Sequence, residues 1–397
     1  MRALYAALVC INAWFFVTAL SNVVYFRLAT KKPRVTSGPF VSVIVPARNE
    51  EQPIGRCLES LLQQDYSDYE VVVVDDDSSD STAQVVAEFA ARDPRVRLVS
   101  GVPLADAWLG KPHALAQGAA VARGEILLLT DADTVHTPHS ISWAVTNLQD
   151  HGADMLSGYL EQEYGSFGES LIVPTMYAMM LLVPLFLIPR TASPQLAFAS
   201  GQYVVMRREA LDDVGGFESI RASIVDDMAM AARMKSFGHR SVFLDAKQAA
   251  SCRLYSGYRD AFRGIERSVY SSIGVQPLSV VGIAAIVLVL ICGPAAYVLV
   301  SVAHLEVPSG PIAASALLFI AQWALVAWDR DVPFVALVLY PLVFLNLAVM
   351  TVASMLSTGF GPGIEWKGRL VRMPRSTEAA CDPAVADCPS GSGKVGP

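Results

Sequence analysis

The chain has 397 residues, 53% of them hydrophobic and 17% charged, with a formal net charge of −7. Ordinary soluble domains carry about 25% charged residues, so the composition points to membrane segments joined to a globular part, and the acidic balance gives no support for nucleic-acid binding. The six cysteines are scattered without a Cys-x-x-Cys pair; we read neither a zinc site nor a disulfide framework and expect a reducing, cytosolic setting.

Residues 4–26 are apolar and uncharged, long enough to span a bilayer. Arg27, Lys31, Lys32 and Arg34 follow at once, and the positive-inside rule places what comes next in the cytosol. A cleaved signal peptide carries its positive charge before a shorter apolar run, so residues 1–28 read as an anchor. After a short linker, strand and helix signals alternate. Residues 41–46 form a strand, 53–64 a helix and 70–74 a strand. The acidic turn 75–82 opens a helix that ends near Arg92, and residues 95–99 form a short strand. Residues 111–123 form a helix and 125–130 another strand. Alternation at this spacing predicts a parallel sheet with right-handed crossovers. The fingerprint Gly-x-Gly-x-x-Gly is absent after the first strand, which excludes a standard NAD domain. Gly391-Ser-Gly-Lys394 has no strand before it and is not a phosphate loop.

Beyond residue 150 the pattern loosens. Residues 153–164 read as one or two strands, 201–206 as a strand and 207–214 as a short helix, and a helix within 223–238 opens with Asp226 and Asp227. Residues 171–188 are strongly apolar but bounded by prolines. We read 165–190 as holding a helix that lies in the membrane interface, because a span here would separate segments that both look catalytic. Residues 36–275 are then one cytosolic domain. Three apolar stretches, 277–304, 311–328 and 333–356, make up a C-terminal membrane region (277–357). Three crossings from the cytosol leave the basic segment 366–372 outside, against the charge rule: either one stretch is re-entrant or the rule fails here. Residues 374–397, rich in Pro, Ala, Ser and Gly, read as a disordered tail.

Three acidic clusters carry the chemistry. Asp75 and Asp76 end the second strand, Asp131 and Asp133 end the fourth, and Asp226 and Asp227 open a later helix. Ligands of open α/β sheets bind outside the carboxyl ends of strands. Two carboxylates at i and i+2 suit a hard cation such as Mg²⁺ or Mn²⁺, which is held by one or two carboxylates together with substrate phosphates. The plainer reading is that Asp131 and Asp133 are turn and cap residues. A third carboxylate could take the proton of an attacking hydroxyl.

Residues 43–50 (Val-Ile-Val-Pro-Ala-Arg-Asn-Glu), 73–82 (Val-Val-Asp-Asp-x-Ser-x-Asp-x-Thr) and 130–133 (Thr-Asp-Ala-Asp) resemble the three opening motifs of family 2 glycosyltransferases. Residues 110–118, Ser200-Gly201-Gln202, Gly215-Gly216-Phe217 and the run 225–231 resemble further motifs of that family. The resemblance covers roughly residues 41–275. It implies an α/β GT-A fold, a doubly wound mixed sheet of the nucleotide-diphospho-sugar transferase type, with N- and C-terminal transmembrane helices. It also implies an inverting transferase that uses Mg²⁺ or Mn²⁺ and moves a sugar from a nucleotide-diphosphate sugar, a UDP-sugar by family habit. Residues 251–255, 264–268 and 365–369 are similar to members acting in carotenoid and hopanoid pathways. That implies a membrane lipid acceptor of carotenoid, hopanoid or other isoprenoid type, an integral protein of the cell membrane and a cytosolic catalytic domain. The Gln-x-x-Arg-Trp motif of polysaccharide synthases is missing near residues 253–272, which weighs against a processive or undecaprenyl-linked polymerase. A non-catalytic sugar-nucleotide-binding module attached to a pore or carrier is the competing class.

By the same resemblance, Asp227 is the general base, with a helix N-cap as its alternative. Asp133 binds the metal, Asp131 lies close to metal, ribose and diphosphate, and Asp76 contacts the nucleotide. Ala47, Asn49 and Glu50 line the base pocket; turn chemistry explains Asn49 and Glu50 equally. Lys111 reaches the nucleotide or is a solvated helix-start lysine. Asp75 reads as structural. Arg253, Arg263 and Arg267 face either diphosphate or anionic lipid. His136 and His139 read as surface residues.

Overall fold

A computed structural model describes residues 2–273, 282, 309–359, 364–366 and 369–371. Helix α1 (Arg2–Ala29) leads into strand β1 (Val41–Ala47), helix α2 (Ile54–Leu62), β2 (Tyr69–Asp75), α3 (Thr82–Arg92), β3 (Val96–Ser100), α4 (Gly110–Val121) and β4 (Ile126–Thr130). The strands β1, β2 and β4 are nearly continuous Val, Ile and Leu and are buried on both faces, the mark of parallel strands covered by crossover helices. Ile54, Cys57, Leu58 and Leu61 of α2 recur at helical spacing and are buried. Helix α4 packs closely because of Gly118: a Cβ there would meet the Ile44 side chain at 2.5 Å.

Next come β5 (Thr134–His136), α5 (Ser140–Asp150), β6 (Met155–Tyr159), β7 (Glu161–Gln162), β8 (Tyr203–Arg207), α6 (Asp226–Ser236), β9 (Ser241–Asp245), β10 (Ala250–Cys252) and α7 (Tyr258–Ile273). The main sheet has the order β3-β2-β1-β4-β8-β6-β9. Strands β1 to β4 pair in parallel, while β8 runs antiparallel to both β4 and β6. The strands up to β4 are thus parallel, as the strand–helix alternation predicts, and β8 makes the sheet mixed, as the resemblance implies. The order turns between β1 and β4, and a crevice opens there at the strands' carboxyl ends. A small second sheet, β5-β10-β7, covers that edge.

Two apolar stretches differ from their expected form. Residues 171–188 are not one helix. They belong to a chain of short helical pieces, Phe167–Ile172, Val173–Ala178, Met179–Leu182 and Leu185–Arg190, broken by Pro174, Pro184 and Pro189. Much of this segment is buried against the sheet and α1, where the Asn22 amide donates to the carbonyls of Met180 (2.9 Å) and Val183 (2.8 Å). The stretch 333–356 is likewise split, into a short helix Phe334–Val338 and a long one. The expected span 277–304 and the tail 374–397 lie outside the described residues.

The described membrane region consists of α1, α8 (Ser309–Asp329) and α9 (Tyr340–Gly359), each with a stretch long and apolar enough to cross a bilayer. The Asn12 amide donates to Ser315 Oγ (2.8 Å) and Arg27 meets Asp329 (3.4 Å), so α1 and α8 run parallel and end together. There they are fastened to the sheet. Phe26 is fully buried against Tyr159 and Phe243, and buried Arg330 donates to both oxygens of Asp245 (2.9 and 2.8 Å).

Candidate functional site

The crevice is a cleft of about 680 Å³ that gathers residues from β1, the turn after β4, α4, α6 and α7. The turn after β1 forms its first wall. The Asp76 amide donates to the Ala47 carbonyl (2.8 Å), the Arg48 guanidinium donates to the carbonyls of Asp76 and Asp77, and the Glu50 amide donates to Thr82 Oγ1 (2.8 Å). Ala47, Arg48, Glu50 and Asp76 line the cleft. Asn49 does not. It adopts a left-handed φ of 54°, and its side-chain oxygen accepts from the Ser79 amide (2.8 Å), which is the turn chemistry open to Asn.

Opposite, Asp131, Ala132 and Asp133 leave the end of β4 and also line the cleft. Lys111, in the first turn of α4, donates to Asp131 Oδ1 at 2.6 Å. It is not a solvated surface lysine. Burial works against its charge, but Asp131 and Asp226 outweigh burial and hold its pKa up. The Cys252 thiol, from the second sheet, donates to Asp133 Oδ1 (3.5 Å).

Helix α6 brings the third carboxylate pair. Asp226 and Asp227 occupy its first turn, and Asp227 Oδ1 accepts from the Met228 amide (2.7 Å). Burial, then the charge of Asp226, raise the Asp227 carboxyl to about 7; Asp226 is raised for the same first reason. Gly201 separates Asp227 from Lys111. A Cβ there would sit 3.1 Å from Lys111 Nζ and 3.2 Å from Asp227 Oδ2, so the backbone passes where a side chain would press on both groups.

Asp76, Lys111, Asp131, Asp133, Asp227, Ala47 and Glu50 thus share one cleft, joined by residues the sequence did not single out for it: Met176, Leu254 and Tyr255. Arg267 lines it too, whereas Arg253 is held by Glu169 (3.1 Å) on the wall behind and Arg263 is exposed on α7. His136 is not a surface residue. It is buried, with Nε2 3.2 Å from Thr130 Oγ1 and Nδ1 2.9 Å from Ser140 Oγ, and burial lowers its pKa to about 3. It is a neutral prop under the end of β4. His136 lies in a polar-looking run, Thr-Val-His-Thr-Pro-His, and only the β5–β10 pairing that covers it gives its burial away.

Among the described residues no three His, Cys, Asp or Glu side chains form a ready-made metal cage. Asp131 and Asp133 still offer a hard cation two carboxylates on one side of an open cleft, which suits an ion that takes its remaining ligands from phosphates and water. The raised carboxyls of Asp226 and Asp227 follow from burial first and from a neighbouring carboxylate second, Asp131 for Asp226 and Asp226 for Asp227.

Comparison with known proteins agrees with this architecture. Residues 42–215 match the family described as Glycosyl transferase family 2. A beta-monoglucosyldiacylglycerol synthase of Trichormus variabilis is 30% identical over 198 residues, 49% of this chain and 41% of that protein. A 4,4'-diaponeurosporenoate glycosyltransferase of Staphylococcus haemolyticus is 40% identical over 109 residues, 28% of each chain. The chain thus spans less than half the length of these curated relatives. A mannosyltransferase of Pyrobaculum calidifontis, solved in complex with GDP-Man and Mn²⁺, superposes with a TM-score of 0.50 at 20% identity, covering 90% of this chain and 99% of that one. At that identity the likeness speaks for the fold, a GT-A-like mixed sheet. The motifs at 43–50, 73–82 and 130–133 all fall inside the span, residues 42–215, that matches the family 2 glycosyltransferase domain.

Proposed function

We propose that this protein is a membrane-bound, inverting glycosyltransferase that moves a sugar from a nucleotide-diphosphate sugar, a UDP-sugar in the first instance, to a lipid acceptor. The carrying observation is the placement of Asp227. Its carboxylate sits across Gly201 from Lys111 and lines the same cleft as Asp131, at a pKa suited to accept a proton near neutrality. The names of the two relatives, which refer to a diacylglycerol lipid and a carotenoid acid, support a lipid acceptor. So do the helices of spanning length fastened to the domain. Isoprenoid acceptors of the carotenoid or hopanoid kind fit that class. We assign the protein to the cell membrane, with its catalytic domain on the cytosolic side where Arg27, Lys31, Lys32 and Arg34 lie.

In this reading Ala47, Glu50 and Asp76 hold the nucleoside, with Asn49 shaping the turn that carries them. Lys111 binds and orients the diphosphate. Asp133 and Asp131 would hold Mg²⁺ or Mn²⁺, which would supply charge neutralisation to the leaving diphosphate. Asp227 takes the proton of the acceptor hydroxyl as that oxygen attacks the anomeric carbon. The bond to the diphosphate oxygen breaks on the opposite face, and configuration inverts.

The test is release of nucleotide diphosphate by the detergent-purified protein from a panel of UDP-, GDP- and TDP-sugars, with Mg²⁺ or Mn²⁺, with and without membrane lipid extract. Release that rises with lipid and is lost in Asp227→Asn is the expected result. Donor binding without release from any donor, with lipid present, would overturn the reading in favour of a binding module.

A further inference from the structure

Helix α9 is 20 residues long, about 30 Å and so sufficient to cross a bilayer. Its surroundings are not those of a crossing helix. It lies along α7 of the catalytic domain: Tyr258 Oη donates to Asn346 Oδ1 (2.8 Å) and Ser357 Oγ donates to Glu266 Oε1 (3.2 Å). The two helices therefore run side by side in the same direction. Met350, midway along α9, is buried with Ile172, Val173, Ala261 and Ile265 of the catalytic domain. On α7, Asp260, Gly264 and Arg267 line the cleft, so this helix belongs on the catalytic side.

The start of α9 fits the same path. Phe344 meets Trp323 and Phe319, roughly two to three turns back from the end of α8 at Asp329. The chain thus dips only some of the way along α8. A crossing helix would carry Ser357 beyond the Ser309 end, yet Ser357 sits on α7. The face of α9 turned away from the protein exposes Leu342, Leu345, Val349, Val352 and Leu356, an apolar stripe at helical spacing. Helices α1 and α8 also expose large apolar side chains, and Arg259 and Arg263 of α7, the helix along which α9 lies, are exposed.

We propose that α9 does not cross the membrane but lies in the leaflet nearest the catalytic domain, its Leu/Val stripe among the acyl chains and the α7 arginines at anionic headgroups. The inference rests on α1 and α8 being spans. Because these run parallel and end at the catalytic domain, α8 begins on the far side. If α9 then stays in its leaflet, Lys367, Arg369 and Arg372 remain on the side of Arg27, Lys31, Lys32 and Arg34. The conflict with the charge rule disappears.

The experiment labels full-length protein with a membrane-impermeant maleimide in right-side-out and inverted vesicles. The test thiols are the native Cys381 and Cys388 beyond α9; Ser37→Cys and Ser309→Cys, each without the two tail cysteines, mark the two sides. Labelling of the tail in the same vesicles as Ser37→Cys, and opposite to Ser309→Cys, is expected. Tail labelling together with Ser309→Cys would overturn the inference for α9 alone. Labelling of Ser37→Cys and Ser309→Cys from one side would overturn the two spans on which it rests. A bimane on Val349→Cys gives a second readout: quenching strongest by lipids brominated near the headgroup is expected, and quenching strongest at the acyl-chain ends would overturn the assignment.

Discussion

The cleft and the junction where α1, α8 and β9 meet both gather charge, in different proportions. At the junction Arg27, Lys247 and Arg330 face Asp245, Asp329 and Asp331, three against three. Arg330 is fully buried yet has both forks of its guanidinium filled, and Asp245 in particular raises its pKa against the pull of burial. In the cleft, Arg48, Lys111 and Arg267 stand against Glu50, Asp76, Asp131, Asp133, Asp226, Asp227 and Asp260, three against seven. A balanced network holds neighbouring regions of a protein together. An unbalanced one leaves charge for a ligand to neutralise, and it sits at a cost in stability.

Asp227→Asn probes the unbalanced cluster most directly. Transfer falls by about 10²- to 10⁴-fold, the usual worth of a positioned base, while donor affinity stays near wild type; a loss of donor binding in parallel would refute the base role. Stability moves the other way. Burial raises the folded pKa of Asp227 from 3.8 to about 7, so its contribution is fully present below about pH 4 and is lost as pH rises through 7. Asp227→Asn therefore melts higher than wild type at pH 8 and alongside it at pH 4. At the junction the expectation reverses. Arg330→Met leaves half-buried Asp245 without its guanidinium and buried Asp329 with Arg27 alone, and costs roughly 3–5 kcal/mol of stability, read as a fall in melting temperature; adding Asp245→Asn recovers some of it. If Arg330→Met melts like wild type, the junction is not a structural clamp.

How much of this was legible in the sequence follows the same division. The donor side of the cleft is written in short local motifs, because a buried parallel strand and the turn at its end are contiguous in the chain: Ala47, Asp76, Asp131 and Asp133 could be placed from their strands alone. The segment 167–190 could not, since its hydrophobicity fits a helix equally well, and only the prolines hint at the break. Nor could Arg330 or His136, whose burial depends on partners distant in sequence, such as Asp245 for Arg330 and the β10 strand over His136. Asp226 and Asp227 lie beyond the matched span of the family domain, and their place in the cleft comes from α6 folding back over Gly201.

That close approach gives a smaller prediction within the cleft. Gly201→Ala puts a methyl 3.1 Å from Lys111 Nζ and 3.2 Å from Asp227 Oδ2. Both side chains are movable, so the fold survives, but a displaced base lowers kcat by about tenfold. An unchanged kcat would mean that the gap between Lys111 and Asp227 has slack.

The smallest effect is a displacement of the pH profile, and it separates the two clusters most sharply. Lys111 lowers the pKa of Asp227, against burial and Asp226 which raise it. A base works only when deprotonated, so kcat/KM for the acceptor rises with pH through about 7. Lys111→Met removes the lysine's positive charge from beside that carboxyl, and the rising limb moves to higher pH, by about one unit. Donor binding weakens in the same variant, since Lys111 also faces the diphosphate, so the shift is read at saturating donor. Arg330→Met, with its charge in a separate, balanced network, leaves the limb where it is. A limb that stays fixed in Lys111→Met would show that Asp227 is not the group whose ionisation limits transfer.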